Sequence, residues 1–155
     1  MLIKVRDAVA SDCADLCDGN ARMALETENH TLPAATLKEG VQALLGNAAL
    51  GKYFVAEADG KIVGQIMVTY EWSDWRNATF WWIQSVYVWP DSRRNGVFAA
   101  LYDHVRCEAK EAGNVCGLRL YVMNDNAKAQ RTYERCGMHR TNYEVMEELW
   151  TGADS

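Results

Sequence analysis

Arg93 and Arg94 sit in the stretch Val88-Trp89-Pro90-Asp91-Ser92-Arg93-Arg94-Asn95-Gly96-Val97-Phe98, and the chemistry it offers is anion binding. An apolar strand ends at Pro90, and a tight polar turn feeds a helix starting near Gly96. The first N–H groups of a helix have no intrahelical acceptor, and the aligned peptide dipoles make that end positive. Such an end, approached over a glycine, suits a pyrophosphate, and two guanidiniums beside it add charge. The same stretch also reads as a solvated turn whose arginines face water. It contains neither GxGxxG nor GxxxxGK[ST], so ordinary dinucleotide and P-loop readings fail.

A second polar group follows the next strand, in Tyr121-Val122-Met123-Asn124-Asp125-Asn126-Ala127 and on to Tyr133, Gly137 and Met138. Asn126 and Tyr133 are about two helical turns apart and face one side of a helix. A phenol with an ordinary pKa near 10 stays protonated at neutral pH and can give its proton to a departing anion. The bland reading is a tyrosine packed against a sheet with its hydroxyl wet.

The carboxylates fall in two places. Glu71 leaves an apolar strand, which allows a base role, against a surface carboxylate at a hairpin tip. Glu26 and Glu28, at the end of the first helix, attract a cation or simply solvate the helix end. Trp72 and Trp75 can form an aromatic wall with cation–π contact to an ammonium group. Trp81 and Trp82 point to opposite faces of their strand and read as core, and His30 and His104 receive no role.

With both polar groups present, in order and correctly spaced, the chain resembles the GNAT superfamily of N-acetyltransferases. That family carries a [Q/R]-x-x-G-x-[G/A] turn gripping the CoA pyrophosphate, matched here by Arg93-x-x-Gly96-x-Phe98. Phe98 departs from the pattern, which usually has a small residue there, although backbone donors survive the change. The resemblance implies a coenzyme site of Arg93, Arg94, Asn95, Gly96, Val97, Phe98 and Ala99. It adds the backbone of Val86, Tyr87 and Val88 for pantetheine, one N–H polarising the thioester carbonyl. Asn126 then meets the pantetheine or adenosine arm, and Tyr133 points at the sulfur. The regions around Glu26–His30 and Tyr70–Asn77 line the acceptor cleft in family members. The match runs from the first strand to Met138 and is strongest over 78–138.

The implied reaction is direct transfer of an acetyl group from acetyl-CoA to a primary amine in a ternary complex, with Tyr133 as acid and Glu71 as base. An alkylamine is only about 0.04% neutral at pH 7, so a base or water relay helps. Bulky tryptophans near the acceptor loop suggest an enclosed pocket and hence a small-molecule amine. Two alternatives stand beside this reading: a protein or peptide amine acceptor, and a CoA-binding module that regulates without catalysis. No covalent enzyme intermediate is required, so no cysteine is assigned as nucleophile.

The elements that must position these residues follow from hydrophobic periodicity. Residues 2–6 read as a strand, and Ser11 or Asp12 caps a helix running to about Glu28. Pro33 opens a second helix that stops near Gly46. Strands at 53–56 and 62–70 flank an Asp59-Gly60 hairpin turn. A polar loop spans 71–77, and a long strand, 80–89, looks central and covered on both faces. A helix over 96–110, a strand at 118–123, a helix at 127–135 and a last strand at 138–146 complete the order. The expected architecture is α/β: a mixed, predominantly antiparallel sheet with helices on both faces, in one domain spanning 1–155.

The bulk numbers fit. The chain has 155 residues, 49% of them hydrophobic, and a net charge of −5. An acidic balance disfavours nucleic acid and mildly favours a cationic substrate. No apolar run approaches the roughly 20 residues needed to cross a bilayer. The start has no leader-like segment, so neither a membrane nor a nucleic-acid partner is expected and the expected compartment is the cytoplasm. Five scattered cysteines argue against a disulfide framework. Cys13 and Cys17 lack the companions of a metal site, and no metal is expected. A homodimer through the last strand or an exposed edge is compatible with the pattern.

Overall fold

The apolar runs become five strands of one sheet in this computed structural model, which describes residues 1–150. They are β1 (Lys4–Asp7), β2 (Lys52–Ala58), β3 (Lys61–Ser73), β4 (Ala78–Val88) and β5 (Val115–Leu120). Their spatial order is their chain order. The first three pairings are antiparallel, and β4 pairs with β5 in parallel. That last pairing needs a crossover, which the helix α3 (Val97–Ala112) supplies. The other helices are α1 (Cys13–Glu28), α2 (Ala34–Leu45) and α4 (Ala127–Arg135). The chain divides into two compact units, one ending at Leu120 with the whole sheet and α1 to α3, the other starting at Tyr121 with α4.

Helices cover both faces of the sheet, as strand alternation requires. Leu16 of α1 and Val41 of α2 cluster with Tyr53 and Val55 of β2. The intervening Phe54 points the other way, where its ring meets His104 of α3. On that second face a Cβ on Gly64 would lie 2.6 Å from Val97 and 3.1 Å from Leu101. A glycine in β3 is therefore what lets α3 approach so closely.

Local chemistry explains the boundaries. Asp59 and Gly60 both take positive φ, 52° and 74°, the geometry of a two-residue hairpin turn matched to strand twist. Asp12 stands at the start of α1, but its carboxylate is turned to the Arg6 guanidinium and to the Val9 N–H, at 2.8 Å from each.

Three expectations change. Glu71 and Trp72 belong to β3, not to a loop, because the β3–β4 ladder continues to Ser73–Ala78. The strand expected at 118–123 lies at 115–120. No strand forms over 138–146 among the described residues. Followed on to Glu148, neither alternating face of this segment is apolar: Tyr143 and Val145 share one with His139 and Glu147, and Met146 shares the other with Arg140, Glu144 and Glu148. Burying either face would desolvate carboxylates, and Tyr143, Val145 and Met146 are left exposed.

Candidate active site

The site starts from an irregularity in β4. Gln65 faces Tyr87 and Met67 faces Gln84, so the single β3 residue between them opposes both Ser85 and Val86. This is a β-bulge, with Ser85 at φ 52°. It shifts the alternation, so that Gln84 and Tyr87 point to the same face. The β4–β5 ladder ends at Ile83–Leu120. Residues 84–88 thus continue past β5 while staying laddered to β3 on their other side.

The chain then turns through Pro90–Ser92 into α3. Arg94 and Gly96 take positive φ, 66° and 80°, and Gly96 is the residue capping α3. No side chain caps this helix end, and the first N–H groups of a helix, which have no intrahelical acceptor, suit an anion. A Cβ built on Gly96 would meet no atom within 4 Å, and the approach over it is open. Val97 is buried under the sheet, and Phe98 leans on Tyr102 with ring centres 5.9 Å apart. The bulky residue at this position is therefore housed along the helix.

The two guanidiniums of the turn differ. Arg93 folds back: Nε donates to the Val88 carbonyl at 2.9 Å and Nη2 to Glu26 Oε2 at 2.8 Å. Its Cζ also lies 5.3 Å from the centre of the Tyr87 ring. Arg94 is exposed, as is Asn95, whose side chain donates to the Arg93 carbonyl. Glu26 is itself a junction, because the Tyr87 hydroxyl donates to its Oε1 at 2.6 Å. That bond, reinforced by Arg93, holds the Glu26 carboxyl below its ordinary range, while burial and the same carboxylate push the Tyr87 phenol up. A residue expected to attract substrate and one expected to hold coenzyme are thus in contact. Glu28 is exposed on the last turn of α1.

Glu71, the candidate base, is on β3 with its Oε1 accepting from Trp82 Nε1 at 3.0 Å and from Arg119 Nη1 at 2.8 Å. Both bonds fall on one oxygen. The Arg119 guanidinium stacks 3.7 Å from the centre of the Phe80 ring. Trp82 is therefore part of this polar group, not simply core. Trp72 is 61% exposed and Trp75 is 87% exposed, so neither walls an enclosed pocket.

In the second unit Asn126 caps α4, its Oδ1 accepting from the Ala129 N–H at 3.1 Å. Tyr133 follows two turns along. Burial raises its phenol pKa, and Cys136 adds to the shift, so the hydroxyl keeps its proton.

Elsewhere, Asp7, His104 and Glu108 gather their ligand atoms within 4.8 Å. The Lys52 ammonium already sits 3.2 Å from both carboxylates. A cavity of about 600 Å³ near that cluster, lined by Tyr70, Trp81 and Glu108 among others, includes no residue of the candidate site.

Sequence reasoning missed Arg119 and the Ser85 bulge, and it left Gln65 unremarked. A glutamine within the apolar run Ile62 to Val68, and an arginine within Val115–Leu120, were the available signals.

A mixed five-stranded sheet with a bulged strand that outruns its parallel neighbour and leads into a helix without a side-chain cap places the chain in an α/β class. The model of the acetyltransferase (GNAT) family matches residues 17–138. A possible acetyltransferase from Clostridium difficile 630 is 41% identical over 97% of this chain and 99% of its own, with a TM-score of 0.91. At 20% identity and a TM-score of 0.77, a predicted acetyltransferase with acetyl-CoA from Clostridium acetobutylicum shares the fold over 96% of this chain and 97% of its own. A ribosomal-protein-alanine N-acetyltransferase from Brucella melitensis biovar Abortus 2308 does so at 17% identity and a TM-score of 0.77, over 96% and 99%. No curated protein matches the chain. The chain belongs to the GNAT acetyltransferase family.

Proposed function

We propose that the protein transfers the acetyl group of acetyl-CoA to a primary amine by direct attack in a ternary complex. The observation that carries this reading is the strand-to-helix passage. Residues 84–88 run past the end of β5, and the uncapped end of α3 opens over Gly96. Backbone N–H groups of Val97, Phe98 and Ala99 bind the diphosphate, with Arg94 adding charge from the turn. Val86, Tyr87 and Val88 offer their backbone to pantetheine, and an N–H there stabilises the negative charge growing on the thioester oxygen.

In the step itself the amine nitrogen bonds to the carbonyl carbon, the C–S bond breaks, and CoA leaves as a thiolate. Tyr133 protonates the sulfur, and Glu71, directly or through water, takes the proton lost by nitrogen. Asn126 organises the start of the helix that bears Tyr133. The family match crosses the boundary at Leu120, which supports treating both units as one domain acting together.

A small amine is the leading acceptor, drawn by an acidic chain and by Glu26 and Glu28. The exposure of Trp72 and Trp75 favours a second reading, a peptide or protein amine laid over an open surface. A turnover screen with acetyl-CoA over amines, polyamines, amino acids and peptides, reading free thiol, tests both. Coenzyme saturation without turnover on any of them would overturn catalysis and leave a binding module.

A further inference from the structure

Gln65 has none of its surface exposed, and the reaction as proposed gives it no part. It lies on β3 opposite Tyr87, and its Nε2 donates to the Ser85 carbonyl at 3.1 Å. That carbonyl belongs to the bulge, where Ser85 holds a left-handed φ of 52°, a conformation L-residues seldom adopt. Around it, Asn20 Nδ2 donates to the Tyr53 hydroxyl at 3.1 Å, and that hydroxyl also interacts with the Ser85 side chain.

Helix α1 makes room for this amide. A Cβ on Gly19 would stand 2.2 Å from Gln65 Oε1 and 2.7 Å from its Cδ. Oε1 has no hydrogen-bond partner, and a buried acceptor without one is destabilising. A methionine would fill similar volume without that cost. Packing alone therefore does not account for a glutamine, and what distinguishes it is the bond to Ser85.

A trans peptide is planar, so the Ser85 carbonyl and the Val86 N–H point in opposite directions. Drawing the carbonyl toward Gln65 turns the Val86 N–H away from Gln65, at a level of β4 where the ladder to β5 has ended. We infer that Gln65 is a positioning residue that locks the Ser85–Val86 peptide so that the Val86 N–H meets the thioester carbonyl. The inference rests on the acetyl-transfer reading above.

The test uses the full-length protein, labelled with ¹⁵N, with acetyl-CoA and with CoA, which lacks the acyl carbonyl. In the unaltered protein the Val86 amide proton should move downfield with acetyl-CoA and not with CoA. Gln65→Met should abolish that difference and lower kcat by about 10- to 100-fold, less than the roughly 100- to 1000-fold of losing an oxyanion donor outright, because the Val86 N–H is misplaced and not removed. Its acetyl-CoA Kd should stay within about twofold, because the diphosphate contacts remain. Gly19→Ala displaces the same amide without removing it and should act alike, which guards against misfolding of the first variant. An equal response of Val86 to both ligands in the unaltered protein overturns the inference. So do kcat values unchanged in the folded variants, or kcat and affinity falling together, which would mark mere packing. Failure of the parent reading looks different: no amide near Gly96–Ala99 would respond to either ligand.

Discussion

Arg93 places Nη2 2.8 Å from Glu26 Oε2, joining the turn before α3 to the end of α1. Both side chains are about two-fifths exposed, 44% and 41%, so the pair by itself contributes only about 0–1 kcal/mol to stability. Its consequence is positional: Arg93 is held over the end of β4 instead of reaching outward from the turn. Glu26→Gln keeps an acceptor for Tyr87 but removes the charge competing for the guanidinium. Acetyl-CoA should bind about two- to fivefold tighter to that variant, within the energy of such a pair. Arg93→Ala should bind it more weakly, and calorimetry at two salt concentrations reads both.

Tyr133→Phe should lower kcat by about 100-fold, the scale of general acid catalysis, with acetyl-CoA affinity essentially unchanged. Because burial raises the phenol pKa, the acid stays loaded through neutral pH, and the unaltered protein should lose this contribution only at strongly alkaline pH. Thiol release followed against pH, beside binding isotherms, separates the two effects; a fully active variant removes the acid role.

Glu71→Gln separates base from anchor. The amide oxygen still accepts from Arg119 and Trp82, so the fold should hold. Turnover should fall at neutral pH and recover as rising pH deprotonates the amine. A flat ratio of variant to unaltered rates across pH would assign Glu71 an anchoring role alone.

Gly96→Ala tests the cradle. The added Cβ meets nothing in the fold, so the stability loss should be limited to the left-handed backbone, about 1–2 kcal/mol. Acetyl-CoA should bind about tenfold more weakly, roughly one charge-assisted hydrogen bond. Melting curves and calorimetry on the same sample check the two numbers.

Asp12 predicts an acid limit. Its carboxyl pKa is lowered first by the Arg6 hydrogen bonds, with the Val9 N–H assisting. A depressed folded pKa contributes stability above the unfolded value, near 3.9, which is lost as pH falls through the folded one. Asp12→Asn should therefore cost about 1–3 kcal/mol at pH 7 and much less well below pH 4. Urea unfolding at the two pH values measures the difference.

The sequence by itself determined the elements whose signals are local. The Asp59-Gly60 turn and the strand-to-helix passage at Pro90–Gly96 were both legible, because each depends on backbone conformation within a few residues. Only the tertiary structure decided what those elements bring together. That Arg93 meets Glu26, that Glu71 meets Arg119, and that Gln65 grips a bulge at Ser85 could not be read from spacing. Each joins residues far apart in the chain, and their partnership follows from strand register for the last two and from the packing of α1 beside the end of β4 for the first. One extra residue in β4 turns Tyr87 toward Glu26. The final stretch shows the reverse: its residue types suited a strand, but with no apolar face to bury they had nothing to drive pairing.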